Sequence, residues 1–308
     1  MVDLKIDLPK GFLDEEQRCG FVVTSRAKEI WAVELDLLHE FQRVVNKYHI
    51  QYIANGGTQL GAVRHKGFIP WDDDIDIMMM RDEYDRLCEV AEAEFRRPYF
   101  FQTERTDPGS LRCHAQLRNS ETTAILDTER KGKMRFNQGI FIDIFPMDAV
   151  PDGEDDWNRE CRKAQRLYEN MLTFASMSSH FFDDPQLPHY RIKNILHTVA
   201  APLWKAMARQ LYNQYEKECK RYNHEATKMV SIYSWGYKYK KLHRPRRLFT
   251  ETMMMQFEFL EVPVCKDYDE YLTIVFGDWH QFVMGTSMHQ GILFDTRRPY
   301  TYYLSDAR

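Results

Sequence analysis

Several features that would assign the chain to a familiar class are missing from its 308 residues. Its six cysteines are scattered and none forms a Cys-x-x-Cys pair, so neither a disulfide framework nor a cysteine zinc site is predicted. No apolar run approaches the roughly 18 residues of a membrane-spanning helix, and early charges argue against a signal peptide. A net charge of -4 lacks the basic footprint of a nucleic-acid-binding protein. We therefore expect a cytoplasmic protein without a nucleic-acid partner.

An ordinary globular composition remains, with 44% hydrophobic and 29% charged residues, which permits a sizeable core. Hydrophobic periodicity predicts helices over residues 25–48 and Arg81–Phe95. Short strands are predicted at 52–54, 74–80, 99–102, 114–117 and 140–145. We expect Pro146, Pro151 and Gly153 to end this α/β section.

Residues 155–223 are expected to be largely helical, with an interruption near 183–188. The predicted fold class is α+β, with a mixed sheet core, flanking helices and a largely helical additional region. The predicted domain organisation is an N-terminal helical segment at 1–50, a core at 51–153 and a helical and mixed C-terminal region at 154–308.

The segment Trp71-Asp72-Asp73-Asp74-Ile75-Asp76-Ile77 is the most informative part of the chain. On a strand, Asp74 and Asp76 would share one face, while the isoleucines would face the core. Paired carboxylates repel each other unless a cation lies between them, and Mg²⁺ is commonly held by carboxylates together with substrate phosphates. Asp74 and Asp76 are therefore predicted as metal ligands, with Asp72 and Asp73 as support or as part of a solvated loop.

A glycine turn, Gly56-Gly57-Thr58, precedes the acidic segment. Between a strand and a helix, such a turn lets the backbone approach a phosphate at the helix N-terminus. Arg64 and Lys66 follow, and both cations suit phosphate recognition, although an ordinary basic loop would look the same.

A third acid lies in Phe141-Ile142-Asp143-Ile144-Phe145. Because a buried unpaired carboxylate costs several kcal/mol, Asp143 is expected to face a cation or a cleft. We interpret the nearby Asp148, which follows Pro146, as a loop residue.

Together these elements resemble the nucleotidyltransferase fold of the DNA polymerase beta superfamily, in which a glycine turn precedes an acid-x-acid strand and a third acid follows. The unbroken stretch from Gly56 to Asp76 is similar to the signature of the LicD family of phosphocholine transferases, whose eukaryotic relatives include fukutin and the fukutin-related protein. The resemblance extends to Trp31 and, more loosely, to the C-terminal segment, where Phe276 stands in place of the usual tyrosine.

The resemblance implies transfer of phosphocholine, or a related phospho-alcohol, from CDP-choline or another CDP-alcohol to a sugar hydroxyl, with release of CMP. The implied acceptor is a glycan or a lipid-linked oligosaccharide, and the implied cofactor is Mg²⁺ or Mn²⁺. Asp74, Asp76 and Asp143 would be the catalytic and metal-binding acids. The donor would be bound by Gly56, Gly57, Thr58, Arg64, Lys66 and Arg118.

Two other functions use the same residues. A nucleotidyltransferase acting on a small molecule would leave the nucleotide on its product, and an inactive nucleotide-binding module would transfer nothing. Two further patterns are weaker. The basic run 237–247 suits a lipid diphosphate or an anionic membrane surface, but also a solvated face. Aromatic residues suited to a quaternary ammonium ion are Trp71, Tyr233, Trp235 and Tyr237.

Overall fold

The structure, a computed structural model, describes residues 1–127, 136–179, 189–233, 242–285 and 291–305. The helices are α1 (Ser25–Tyr48), α2 (Gly56–His65), α3 (Arg81–Glu94), α4 (Glu154–Ser179), α5 (Tyr190–Cys219), α6 (Tyr268–Phe276) and α7 (Tyr300–Ser305). The strands are β1 (Glu16–Arg18), β2 (Phe21–Val23), β3 (Ile53–Ala54), β4 (Asp76–Met80), β5 (Tyr99–Gln102), β6 (Ala115–Asn119), β7 (Thr123–Ile125), β8 (Ile140–Val150), β9 (Met229–Ser231), β10 (Arg244–Pro245), β11 (Thr252–Phe257), β12 (Leu260–Cys265) and β13 (Leu293–Asp295). The predicted α+β class is confirmed.

A seven-stranded mixed sheet forms the centre of the fold, with β8 as its longest strand. On one side β8 pairs in parallel with β4, which in turn pairs with β3 in antiparallel fashion. On the other side β8 pairs antiparallel with β6 and then with β9. Because β9 and β10 come from the predicted C-terminal region, the core sheet extends beyond residue 153. The predicted domain limits stay a prediction.

The prediction that Pro146 ends the last strand is wrong, because β8 continues to Val150. The backbone N–H of Asp143 donates towards the β4 side, to the carbonyl of Ile75, and the direction alternates along a strand. The nitrogen of Pro146 therefore faces the opposite side. On that side β6 pairs with β8 only as far as Ile144, and β9 pairs with β8 only from Asp148 onwards. The missing N–H of proline costs this strand no ladder hydrogen bond.

The long helix α1 lies against this sheet and confirms the predicted helix over 25–48. Thr24 caps it by accepting a hydrogen bond from the backbone N–H of Ala27. Its buried face includes Trp31, Leu35, Leu38, Phe41 and Val45. Trp31 stacks on Phe68 with ring centroids 4.5 Å apart, so the helix supports the loop that leads into the acidic segment.

The helical region after β8 consists of α4 and α5, which pack against each other. The interruption predicted near 183–188 lies outside the described residues. None of the described helices combines the length and the apolar content needed to cross a membrane.

The C-terminal hairpin of β11 and β12 holds the loop after α2. Glu258 accepts two hydrogen bonds from the Arg18 guanidinium and one, at 3.0 Å, from the backbone N–H of Phe68. A Cβ atom on Gly67 would collide with the Glu258 carboxylate, which explains a glycine at that position. Three distant segments of the chain thus fix one loop beside the acidic residues.

Candidate active site

The register of two parallel strands places Asp76 directly beside Asp143. Asp76 on β4 is the partner of Asp143 on β8, and the two strands are hydrogen-bonded neighbours. Register partners on adjacent parallel strands point to the same face of the sheet. The structure thus brings these two predicted site acids to one face of the sheet.

Asp74 reaches the same site by a different route from the one predicted. The strand begins at Asp76, and Asp72, Asp73 and Asp74 lie in the preceding loop, so the alternation argument for Asp74 is wrong. One carboxylate oxygen from each of these three loop residues lies within 4.8 Å of the other two. Within the described ranges it is this set, and not Asp74, Asp76 and Asp143, that forms so tight a group.

Tight backbone contacts hold the acidic loop and strand against the glycine turn. The indole N–H of Trp31 donates to the carbonyl oxygen of Asp72 at 2.9 Å. Thr58 Oγ1 accepts the backbone N–H of Asp76 at 2.8 Å, and the carbonyl of Asp76 accepts the N–H of Asn55 at 2.9 Å. Thr58, which the sequence predicts to bind the donor substrate, therefore also holds the strand that carries Asp76.

Like charges dominate the environment of Asp76. Burial, together with the carboxylates of Asp74, Asp143 and Asp72, raises the pKa of Asp76 well above its usual 3.8. The protein surroundings therefore disfavour the ionised form of this side chain. A bound cation would reverse that balance.

Asp143 behaves in the opposite way. Burial acts to raise its pKa, but His114 and Gln116 outweigh this effect and hold it at about 2. His114 Nε2 lies 3.1 Å from Asp143 Oδ1, and the amide of Gln116 donates to the same oxygen at 2.6 Å. Asp143 is thus an oriented, ionised carboxylate.

Arg118 lies behind this group and does not face the site. Its side chain is fully buried, and its guanidinium donates to Gln102 Oε1 and to the Gly139 carbonyl, each at 2.6 Å, and to Gln116 Oε1. The prediction that Arg118 contacts donor phosphate is therefore not supported. Arg118 fixes the amide of Gln116, which in turn orients Asp143.

The glycine turn is the start of α2 itself, since the helix begins at Gly56. The N–H of Gly56 donates to the hydroxyl of Tyr271 at 3.0 Å, and that hydroxyl donates to Asn55 Oδ1 at 2.9 Å. The first-turn N–H groups of Gly57 and Thr58 have no acceptor within the helix and suit an anion. A Cβ atom on Gly57 would lie 2.6 Å from Asp72 Oδ2, so this glycine lets the acidic loop approach the helix N-terminus.

Arg64 lies in the last turn of α2, about 12 Å along the axis from Gly56, and Lys66 caps this end of the helix. The structure therefore does not gather the predicted phosphate ligands around one point. Arg64 Nη1 donates to the carbonyl of Trp279 at 2.8 Å, and its guanidinium lies over the ring of Phe282. An extended donor would have to run along α2 to meet both ends.

Glu34 is a buried acid at this site that sequence reasoning missed. It lies on α1, one turn after Trp31, is 1% exposed, and its Oε2 has no hydrogen-bond partner among the described residues. Burial and the charges of Asp73, Asp74, Asp72 and Asp143 raise its pKa well above the usual value. The donors that could hold a divalent cation here are the carboxylates of Asp72, Asp73, Asp74, Asp76, Asp143 and Glu34.

His114 and Gln116 were also missed, although the sequence carried a signal for them. His114, Gln116 and Arg118 alternate with Ala115 and Leu117, which is the pattern of a strand with one polar face. Tyr271, by contrast, reaches Asn55 from α6, and no local pattern indicates such a contact.

The four aromatic residues predicted to suit a quaternary ammonium ion do not form one group. Trp71 lies beside the acidic loop, with the rings of Phe21 and Phe282 at 6.0 and 5.3 Å. Tyr233 is buried against Trp157, away from this aromatic group, and Trp235 and Tyr237 lie outside the described residues.

Only part of the basic run 237–247 is described, because residues 237–241 lie outside the described ranges. In the described part Arg244 is buried and donates to the Tyr271 hydroxyl, Arg246 donates to Thr227, and Arg247 forms a bidentate pair with Glu270. These arginines serve contacts within the fold, so they do not form the predicted free basic surface.

The raised pKa values of two buried acids predict how the stability of the metal-free protein depends on pH. Asp76 and Glu34 have raised pKa values in the folded state, so they take up protons on folding, and the stability they contribute is lost as pH rises above about 4. In EDTA, the thermal midpoint should therefore fall between pH 5 and pH 8. In the double variant Asp76→Asn/Glu34→Gln, the thermal midpoint measured over the same pH range should fall less. An equally large fall would contradict this explanation.

Comparison with known proteins places the chain in a family. The family model described as LicD/FKTN/FKRP, nucleotidyltransferase domain, matches residues 49–172, which include the glycine turn, the acidic segment and Asp143. Two uncharacterized Rickettsia proteins match short stretches: one from Rickettsia prowazekii is 41% identical over 54 residues (18% of this chain, 20% of that protein), and one from Rickettsia typhi is 45% identical over 47 residues (15% of each).

A longer match covers most of the chain. The lipopolysaccharide cholinephosphotransferase LicD of Haemophilus influenzae is 30% identical over 258 residues, which make up 82% of this chain and 90% of that protein. On the strength of this match, the chain belongs to the LicD family.

Proposed function

We propose that the protein is a divalent-metal-dependent transferase that moves phosphocholine, or a related phospho-alcohol, from a CDP-alcohol to a sugar hydroxyl and releases CMP. The acceptor would be a glycan or a lipid-linked oligosaccharide. The observation that carries this proposal is the parallel register of Asp76 and Asp143 beside the N-terminus of α2. The printed name of the Haemophilus influenzae relative supports choline phosphate as the transferred group.

The residues fit a divalent cation. The buried Glu34 Oε2 lacks a partner among the described residues, and the pKa of Asp76 is raised by burial and by neighbouring acids, so protein groups do not stabilise the ionised forms of these two acids, as a cation would. Hard oxygen donors of this kind favour Mg²⁺ or Mn²⁺. When bound, the ion would neutralise charge on the diphosphate of the donor.

The chain's own groups would bind and orient the reactants. The N–H groups of Gly57 and Thr58 would donate to the diphosphate at the positive end of α2. Asp143, held ionised by His114 and Gln116, would accept a hydrogen bond from the acceptor hydroxyl. With a pKa of about 2, Asp143 is a weak base, which suits placing the hydroxyl and receiving its proton late.

In the transfer itself, the acceptor oxygen forms a bond to the phosphorus that carries the alcohol. The bond from that phosphorus to the oxygen bridging to CMP breaks, and CMP leaves with the electron pair. The hydroxyl proton passes to Asp143 or to solvent. Positioning and charge neutralisation account for most of the catalysis in such reactions.

A donor panel tests the proposal. The protein would be incubated with Mg²⁺ or Mn²⁺ and CDP-choline, CDP-ethanolamine, CDP-glycerol or CDP-ribitol, and CMP release would be measured with and without EDTA. We expect slow metal-dependent hydrolysis of one donor even without an acceptor. If no donor released CMP, the proposal would be contradicted. If mass spectrometry showed a nucleotide added to an acceptor, the result would favour the nucleotidyltransferase.

Gly57→Ala should separate function from stability. The new Cβ atom would meet Asp72 Oδ2, which must move away from the first turn of α2. In a helix interior alanine is favoured over glycine by about 1 kcal/mol, and a smaller gain at this first-turn position offsets the displacement of Asp72, so the thermal midpoint should stay about level. We expect the KM for the donor to rise about tenfold, roughly 1.4 kcal/mol of lost interaction, measured by CMP release.

Gly153→Ala is the matched control, because Gly153 lies before α4 and a Cβ atom there would meet only Asp156, at 3.7 Å. Its KM should equal that of the parent. Equal KM values for Gly57→Ala and the parent would show that the close approach of Asp72 has no part in donor binding.

A further inference from the structure

The outer face of the first half of α5 is apolar. Ile192, Ile195, Leu196, Val199 and Leu203 recur at helical spacing and are between 56% and 75% exposed. Single exposed apolar side chains are common, but residues at this spacing form one continuous stripe on a helix. We call these five residues the α5 stripe.

The stripe faces away from the protein. The buried residues of α5, namely His197, Ala208, Tyr215 and Cys219, lie on the opposite side of the helix. Further along, the same outward face is polar, with Gln210 and Gln214 exposed. The apolar character is therefore confined to the first four turns.

The charged residues within the first part of α5 are all of one sign. From Pro185 to Tyr215 the sequence contains no aspartate or glutamate, whereas it contains Arg191, Lys193, Lys205 and Arg209. The side chains of Lys205 and Arg209 are exposed. An apolar helix face with basic flanks is typical of helices that lie in a membrane interface.

We propose that the α5 stripe is the surface by which the protein rests on an anionic lipid bilayer. The stripe would enter the boundary between headgroups and acyl chains, and Arg209, about 100° round the helix from the stripe, would lie at the level of the headgroups. From Ile192 to Leu203 the helix rises about 16 Å, enough to lie on a bilayer and too short to cross it.

A second copy of the chain fits this surface less well. Two stripes packed together would place two positively charged helix segments side by side, and residues 185–215 contain no carboxylate that could pair with them. Anionic headgroups supply the opposite charge. Binding of this kind does not depend on the donor, although it would bring the enzyme of the proposed function to a lipid-linked acceptor.

Vesicle sedimentation of the full chain tests the proposal. We expect binding to phosphatidylcholine vesicles that contain phosphatidylglycerol, weaker binding to pure phosphatidylcholine, and a decrease with added salt. Val199→Ser/Leu203→Ser should reduce partitioning about tenfold or more by removing apolar area. Arg209→Gln should weaken the preference for anionic vesicles.

Val22→Ser/Met254→Ser is the matched control, because both side chains are exposed apolar residues outside the stripe, and its binding should be unchanged. Equal vesicle binding by the stripe variant and the parent would overturn the proposal. So would the absence of binding together with a dimer that the stripe variant loses, because the stripe would then be an interface between copies. CMP release from a soluble donor, measured without vesicles, reports on the proposed function separately and should survive in every variant.

Discussion

Asp76→Asn is expected to abolish donor turnover and, at the same time, to stabilise the metal-free protein. The amide keeps the shape of the side chain but removes a charge that burial and three neighbouring carboxylates oppose. Loss of one preorganised charged group at a phosphoryl-transfer site should lower CMP release by about 100- to 1,000-fold. The thermal midpoint in EDTA at pH 8 should rise, so the lost activity could not be attributed to unfolding.

A metal titration distinguishes this account from a purely structural role. Mn²⁺ should raise the thermal midpoint of the parent by mass action, and that rise should be much smaller in Asp76→Asn. Asp14→Asn, which removes an exposed acid near the N-terminus, should behave like the parent in all three measurements. Turnover within a few-fold of the parent in Asp76→Asn, or an unchanged response to Mn²⁺, would remove Asp76 from the metal site.

Strand alternation is the reason that much of the site could be predicted. It set Asp76 and Asp143 apart as single acids whose strand neighbours are isoleucines, and such patterns survive folding because a strand turns every second side chain to the same face. Alternation carries no information about which strands become neighbours. The pairing of Asp76 with Asp143 depends on a parallel crossover between distant segments, and only the family resemblance anticipated it.

Contacts across layers could not be predicted in the same way. Glu34 belongs to a helix whose periodicity marks it as an ordinary helical residue, and its place beneath the acidic loop depends on how α1 packs against the sheet. Arg118 looked like a phosphate ligand because it is a cation near other candidates. Its burial follows from the strands on both sides of β6, which the residue types alone do not reveal.

Asp148 was interpreted as a loop residue because Pro146 seemed to end the strand, and this interpretation is wrong. The residue lies on β8, fully buried, and its carboxylate accepts two hydrogen bonds of 2.7 Å from the Arg81 guanidinium. Asn223 donates a third, also at 2.7 Å. This ion pair joins the start of α3 to the sheet at the end of the strand that carries Asp143.

Asp148→Ala should therefore cost about 3–5 kcal/mol of unfolding free energy, because it leaves the buried Arg81 guanidinium without its main partner. Urea denaturation in EDTA measures this loss directly. Arg81→Met/Asp148→Leu should recover much of it, since an apolar pair of similar volume removes both buried charges. Glu121→Gln breaks the exposed pair with Arg97 and should cost less than about 1 kcal/mol. If Asp148→Ala cost no more than this control, the buried pair would not be a main support of the sheet beneath the site.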